Sequence, residues 1–260
     1  MVNLTIDNKK IEAEAGQTIL EVARENGVVI PTLCSHESIE PSGSCRLCVV
    51  EIKHGKRTRV VTSCLYPVAE GLVVDTKSER VMNVRRLVLQ LLLARCPESE
   101  QLLEMAEEMG VGVEPRFTPD KDNVKCILCR MCVRICEKGV GVSAIGFSYR
   151  GTAKKVCTPF QEESVTCIGC GACAYICPTG HIEMETTATG DSRKIWGRTF
   201  KMATCTVCGH YFAPVDQLKY ISKTTKVPME NLEVCMSCRQ RHQRCRIKPD
   251  RHRKNNRGRE

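Results

Sequence analysis

Two runs of cysteine decide how this chain is read: Cys126-Ile-Leu-Cys129-Arg-Met-Cys132-Val-Arg-Ile-Cys136, and Cys167-Ile-Gly-Cys170-Gly-Ala-Cys173-Ala-Tyr-Ile-Cys177 followed by Pro178. Both have the spacing C-x2-C-x2-C-x3-C. Three thiolates so close together wrap one corner of an iron–sulfur cube, while the fourth, a helical step further on, points toward a neighbouring cube. The spacing therefore predicts two 4Fe–4S clusters with crossed ligation. One is held by Cys126, Cys129, Cys132 and Cys177, the other by Cys167, Cys170, Cys173 and Cys136. A pair of zinc sites or a disulfide framework is the competing reading, and two complete quartets weigh against it.

Composition agrees with metal-bound thiolates. The 260 residues include 19 Cys but one Trp, five Tyr and five Phe, so large core-filling side chains are scarce. Small cysteine-rich modules commonly fold around metal. The start, MVNLTIDNKKIEAEAGQ, lacks a basic segment followed by an apolar stretch, and no apolar run approaches a membrane span. A reducing cytoplasm is the expected setting rather than an oxidising one where the thiols would pair. The net charge of +9 is uneven, because Arg239 to Glu260 holds ten basic residues against two acidic ones. Such a tail suits nucleic acid, an acidic partner surface or solvent.

Residues 1–78 predict a small α+β module. Val2, Leu4 and Ile6 alternate up to Asp7-Asn8, and Ile11, Ala13 and Ala15 alternate after it, as in a hairpin. Thr18 with Glu21 forms a candidate capping box for a short helix ending near Gly27. Strands are expected at 57–62 and 72–74. Cys34, Cys45, Cys48 and Cys64 follow the spacing C-x10-C-x2-C-x15-C, which suits a 2Fe–2S rhomb at a module edge, with zinc as the alternative.

Residues 79–125 predict a helical linker. Val81, Val84, Leu87, Val88, Leu91 and Leu92 recur at helical spacing, with Arg80, Arg85 and Arg86 off that stripe. A second helix is expected over 98–109, with Leu102, Leu103, Met105 and Ala106 as its apolar side and Gly110 as its stop. Residues 126–190 form the dicluster domain, an internal repeat whose halves are separated by residues 137–166. Ile127, Val133, Ile135, Ile168, Ala172 and Ile176 are expected to keep water from the clusters. Cys157 falls outside both quartets and reads as non-ligating.

Residues 191–240 hold Cys205-Thr-Val-Cys208 and Cys235-Met-Ser-Cys238, two knuckles of the zinc-ribbon kind closing one four-thiolate site. Zinc is the preferred occupant. Rubredoxin-like iron is the rival, and a third cube is not excluded by the spacing. His210 reads as a surface residue. Residues 241–260 are the basic tail, with Cys245 unassigned.

Taken in this order, the motifs resemble a known family. The C-x10-C-x2-C-x15-C set resembles the N-terminal ferredoxin-like domain of the complex I large peripheral subunit and of related hydrogenase subunits, where Gly43 and Ser44 would bring backbone N–H groups near the sulfurs. The second quartet with Pro178 resembles the bacterial ferredoxin run. Residues 1–190 as a whole look like the iron–sulfur diaphorase subunit of bidirectional or bifurcating hydrogenases and formate dehydrogenases. The resemblance implies an α+β chain: a β-grasp 2Fe–2S module, a helical linker, a bacterial-type 4Fe–4S dicluster domain and a four-cysteine ribbon. In those families the linker often holds one more 4Fe–4S cluster bound by one His and three Cys. Only Cys96 stands here between 80 and 125, so that cluster is expected to be missing and Cys96 to be a buried small residue.

The expected function is single-electron relay through one 2Fe–2S and two 4Fe–4S clusters. The donor and acceptor would be a flavin-bearing NAD(P)-binding subunit and a hydrogenase or formate dehydrogenase catalytic subunit. The sequence has no G-x-G-x-x-G after a strand and no P-loop, so no catalytic residue is assigned. The alternative is a redox-sensing nucleic-acid-binding protein that docks phosphates with its ribbon and arginine-rich tail.

Overall fold

A computed structural model describes residues 1–119 and 125–246, with the backbone alone for His54 and 242–246. Cys245 and most of the basic tail, from His242 on, therefore fall outside the described side chains. The chain divides into two units, Met1–Cys167 with Gly171–Met184, and Ile168–Cys170 with the chain from Glu185 onward.

The first unit begins with β1 (Val2–Ile6) and β2 (Lys9–Ala13), paired antiparallel so that Ile6 faces Lys9. The turn residues Asp7 and Asn8 both have positive φ, 48° and 68°, which matches the right-handed twist of a two-residue hairpin. Leu4, Ile6, Ile11 and Ala13 point into the core, as their alternation predicts. Helix α1 (Ile19–Glu25) opens on the expected capping box: the Glu21 N–H donates to Thr18 Oγ1 and the Thr18 N–H donates to the Glu21 carboxylate. It closes with Gly27 left-handed and the Val28 N–H on the Ala23 carbonyl, a Schellman ending.

β3 (Val49–His54), β4 (Arg57–Thr62) and β5 (Leu72–Asp75) complete a five-stranded sheet of order β2-β1-β5-β3-β4. Its central pair, β1 and β5, is parallel. The inner face of α1, Ile19, Leu20, Val22 and Ala23, joins Val50, Ile52, Leu72 and Val74 in one buried cluster.

Helix α2 (Glu79–Arg95) departs from the expected stripe. Val81, Arg85, Leu89 and Leu93 are buried, whereas Leu87 and Leu91 are 44% and 48% exposed. The helix is apolar on most sides, so several rotational phases satisfy its pattern. The contacts of Arg85 described below belong to the phase adopted. Helix α3 (Glu100–Glu108) buries Leu102 and Ala106, leaves Leu103 exposed, and ends where Gly110 turns left-handed. Helix α4 (Met131–Arg134) runs into a π-helical turn, Ile135–Gly139. β6 (Gly146–Ser148) and β7 (Lys155–Cys157) form a two-stranded ribbon within the 137–166 segment. Helix α5 (Ala172–Tyr175) packs against α4 and the π-helical turn.

The second unit is built on a sheet of order β11-β10-β9-β8, from β8 (Met184–Thr186), β9 (Ser192–Ile195), β10 (Arg198–Thr204) and β11 (Tyr211–Pro214). Helix α6 (Val215–Thr225) packs on β10 and β11, and α7 (Met236–Arg246) follows the second knuckle. Phe200, Met202, Ile195, Leu218 and Leu232 are among its buried apolar residues. Phe200 lies so close to Gly169 that a Cβ there would sit 2.6 Å from the ring, and Gly169 also has φ +69°.

Candidate metal centres

The first cysteine set lies at the edge of the five-stranded sheet. Cys34 and Cys45 sit on the long loop between α1 and β3, Cys48 immediately precedes β3, and Cys64 follows β4; all four are buried. The loop aims main-chain donors at sulfur. The Cys45 N–H points to Cys34 Sγ at 3.4 Å and the Leu33 N–H to Cys45 Sγ at 3.5 Å. The Ser44 N–H also acts on Cys34, lowering it, in keeping with what the family resemblance implies. Gly43 permits the approach, since its φ is +62° and a Cβ would meet Leu65 Cδ1 at 2.5 Å.

Cys48 and Cys64 sulfurs lie 3.4 Å apart and share a hydrogen bond. The sharing splits their acidities: Cys48 is lowered to about 7, chiefly by its bond with Cys64, and Cys64 is held well above the usual thiol range by the same bond and by burial. Cys45 and Cys34 repeat the pattern, Cys45 lowered to about 5 by its bond with Cys34 and Cys34 raised by that bond and burial. Two pairs of buried thiols with N–H donors aimed at sulfur are a donor set suited to thiolate-bound iron.

The two quartets share an unusual backbone. Leu128 and Arg130 have φ of 52° and 71°, and at the matching positions Gly169 and Gly171 have 69° and 79°. The left-handed region is natural for glycine and costly for Leu and Arg, so the first loop keeps a ligand-wrapping conformation without the residue that favours it. Cys126, Cys129, Cys132 and Cys177 line one cavity, together with Ile127, Val156, His181 and Ile182. The structure thus brings Cys177 to the first three cysteines of the other quartet. Burial raises all three of these: Cys126 above its usual value, Cys129 to about 12, and Cys132 beyond the ordinary thiol range. Without a bound cation such thiols hold their protons.

Cys136 lies in the π-helical turn that packs on α5, the helix carrying Cys173, and its sulfur accepts the Ala144 N–H at 3.2 Å. Cys167 and Cys170 lie on the approach to α5. Ile127, Ile168 and Ile176 are buried between ligands, while Val133, Ile135 and Ala172 are half-buried. Cys96 is fully buried at the end of α2, and Cys157 is buried with its sulfur 2.9 Å from Ser148 Oγ.

In the second unit Cys205 and Cys208 lie between β10 and β11, and Cys235 and Cys238 at the start of α7; their sulfurs all lie within 4.8 Å of one another. Cys208 and Cys235 sulfurs are 3.8 Å apart. An ion with metal–sulfur bonds of about 2.3 Å sets tetrahedral sulfurs about 3.8 Å apart, so the set has the size of a single ion. The Cys235 N–H donates to Cys205 Sγ at 3.3 Å and lowers Cys205 to about 6, whereas burial raises Cys238 to about 12. His210 is exposed and is not a member of the set.

Sequence reading missed the residues that brace these loops. Arg85 donates to the Leu47 and Val49 carbonyls, and Ser42 donates to the Cys129 carbonyl. The helical register of Arg85 with Val81 and Leu89, four residues to either side, was the available signal for the first. Among the described residues no helix is long and apolar enough to cross a membrane.

Residues 1–79 match a family described as a 2Fe-2S iron-sulfur cluster binding domain. An NADH-quinone oxidoreductase subunit of Rhizobium meliloti (strain 1021) is 36% identical over 205 residues, 69% of this chain and 24% of that protein. The NADPH-Fe(3+) oxidoreductase alpha subunit of Geobacter sulfurreducens is 32% identical over 249 residues, 87% of this chain and 28% of that protein. The chain thus spans about a quarter of the length of these curated relatives. A chain of an NAD+-reducing [NiFe]-hydrogenase crystallised in the H2-reduced state superposes with a TM-score of 0.52 at 34% identity, covering 60% of this chain and 74% of that one. With its cysteine loops, its 2Fe–2S domain and these likenesses, the chain belongs to the family of iron–sulfur subunits of NAD(P)-linked oxidoreductases and hydrogenases.

Proposed function

We propose that this chain relays single electrons between a flavin-bearing NAD(P)-binding subunit and a hydrogenase or formate dehydrogenase catalytic subunit. Cys34, Cys45, Cys48 and Cys64 would hold a 2Fe–2S cluster. Cys126, Cys129, Cys132 and Cys177 would hold one 4Fe–4S cluster, and Cys167, Cys170, Cys173 and Cys136 the other. Cys205, Cys208, Cys235 and Cys238 would hold structural zinc. The five segments 1–78, 79–125, 126–190, 191–240 and 241–260 are proposed as its modules. Bound clusters supply reversible one-electron chemistry, at potentials set by hydrogen bonds, charge and exposure.

The observation that carries this reading is one buried apolar cluster that contains Cys34, Cys45 and Cys129 together with Leu33, Leu47, Leu89, Leu93 and Met131. Ligands of two different sites share a dry interior, which keeps water and soluble oxidants away from the space between them. The partners' chemistry is inferred from the relatives, which are subunits of NADH-, NADPH- and hydrogen-linked enzymes by name.

The test is anaerobic purification with iron, sulfide and zinc analysis and low-temperature EPR of the reduced protein. About ten iron, about ten sulfide and about one zinc per chain are expected from these centres. About eleven iron without zinc would reassign the ribbon to rubredoxin-like iron, and about fourteen to a third cube. Co-purification with flavoprotein subunits is expected. Isolation with nucleic acid instead would favour the redox-sensor reading.

A further inference from the structure

Each of the four cysteine sites has an arginine bound to its own loop through main-chain carbonyls. Arg85, 4% exposed, donates Nε to the Leu47 carbonyl at 3.1 Å and Nη2 to the Val49 carbonyl at 2.7 Å, the two residues on either side of Cys48. Arg95 donates to the Cys126 carbonyl at 3.3 Å and the Lys154 carbonyl at 3.2 Å. Arg193 donates to the carbonyls of Gly169 and Cys170 at 3.2 and 3.5 Å, with its own Nε buried and unpaired. Arg239 donates to Val234, next to Cys235, and to Asn231, at 2.8 and 2.9 Å. Among the described residues none of the four forms an ion pair with a carboxylate, unlike Arg134 or Arg198.

The chemistry of this arrangement is specific. A guanidinium keeps its charge where an ammonium would lose it, and its planar fork spans two carbonyls. Burial alone disfavours the charge, and the nearby negative groups that favour it are Cys48 first and Asp7 second. A buried cation that makes no ion pair with a carboxylate among the described residues, held beside the Cys48 loop, is stabilised by further negative charge placed there. Two ferric ions, two sulfides and four thiolates sum to two negative charges, and one added electron makes three. The cation stabilises the more negative state more strongly, and low dielectric magnifies the difference.

We infer that Arg85 is a positioning and tuning residue of the 2Fe–2S site: it pins the backbone on both sides of Cys48 and raises the reduction potential of the cluster held there. Arg95 does the same, from a half-buried place, for the Cys126 loop. This rests on the cluster assignment above.

The test is an EPR-monitored redox titration of the full chain with dithionite and mediators, comparing wild type, Arg85→Lys and Arg85→Met. Arg85→Met is expected to lower the 2Fe–2S midpoint by at least tenfold in the reduced-to-oxidised ratio, 59 mV for one electron. The 4Fe–4S midpoints should stay in place, and Arg85→Lys should shift less than Arg85→Met. A loaded Arg85→Met protein with an unmoved midpoint, or Lys and Met variants shifting equally, would overturn the inference. Should Arg85→Met fail to retain iron, Arg95→Gln decides it: a lowered midpoint of the Cys126 cube alone supports the inference and an unchanged one overturns it. If wild type itself shows no 2Fe–2S signal, the cluster assignment fails instead.

Discussion

Ser42 Oγ donates to the Cys129 carbonyl at 3.4 Å, joining two cysteine loops 87 residues apart. Arg134 reaches across the same seam to the Glu40 carbonyl and carboxylate. The loop carrying Cys45 is thereby held against the loop carrying Cys129.

This proximity has a magnetic consequence. When the 2Fe–2S centre and the Cys126 cube are both reduced, their EPR signals should broaden or split through spin–spin interaction. Cys129→Ala, which is expected to impair that cube, should return the 2Fe–2S signal to its uncoupled shape. A 2Fe–2S signal identical in both proteins at full reduction would mean that the two sites are not neighbours.

The phase of α2 is testable by truncation. Leu89 is fully buried and Leu87 is 44% exposed. Leu89→Ala should cost about 2–5 kcal/mol through lost burial and a cavity. Leu87→Ala should stay within about 0.5 kcal/mol, as surface changes do. Thermal bleaching of the visible absorbance reports both, and the opposite order would restore the stripe through Leu87.

Gly43 carries two separate constraints. A side chain there costs about 1–2 kcal/mol for the left-handed backbone, and its Cβ would lie 2.5 Å from Leu65 Cδ1. Gly43→Ala should lower 2Fe–2S occupancy. Adding Leu65→Ala should recover the part due to the contact but not the part due to φ. Complete recovery in the double variant would place the whole cost in the side-chain collision.

Cluster uptake at the first site should rise with pH. Cys34 and Cys64 hold their protons above the usual thiol range, while Cys45 is lowered to about 5 and Cys48 to about 7. Iron competes with the protons on Cys34 and Cys64, so raising pH removes the competitor and favours loading. Anaerobic reconstitution from pH 6.5 upward should show increasing 2Fe–2S absorbance. Uptake falling over that range would contradict the assignment of those two protons.

At the ribbon, Cys238→Ser should release the single metal ion and make the unit from Glu185 onward more susceptible to protease, because a closed four-thiolate site supports folding directly. EPR of the remaining clusters should be unchanged. Release of iron and no zinc would identify the ion as iron.

Cysteine spacing, by itself, pointed to the sets that the fold brings together at Cys126, Cys129, Cys132 and Cys177 and at Cys205, Cys208, Cys235 and Cys238, because closely spaced cysteines on one loop stay close in space. The capping box at Thr18, the hairpin at Asp7-Asn8 and the stop at Gly110 were legible for the same reason: each is local chemistry between residues a few positions apart. The rotation of α2 was not legible, because a helix apolar on most sides satisfies the pattern in several phases. Only tertiary structure decided that Arg85 turns inward, since its partners are carbonyls 38 and 36 residues away. The same holds for the seam between Ser42 and Cys129, and for Leu128 and Arg130 taking the left-handed turns that glycine takes in the second quartet. Main-chain carbonyls are present at every position and carry no residue code, so a side chain that binds them leaves no mark in the sequence of its partner.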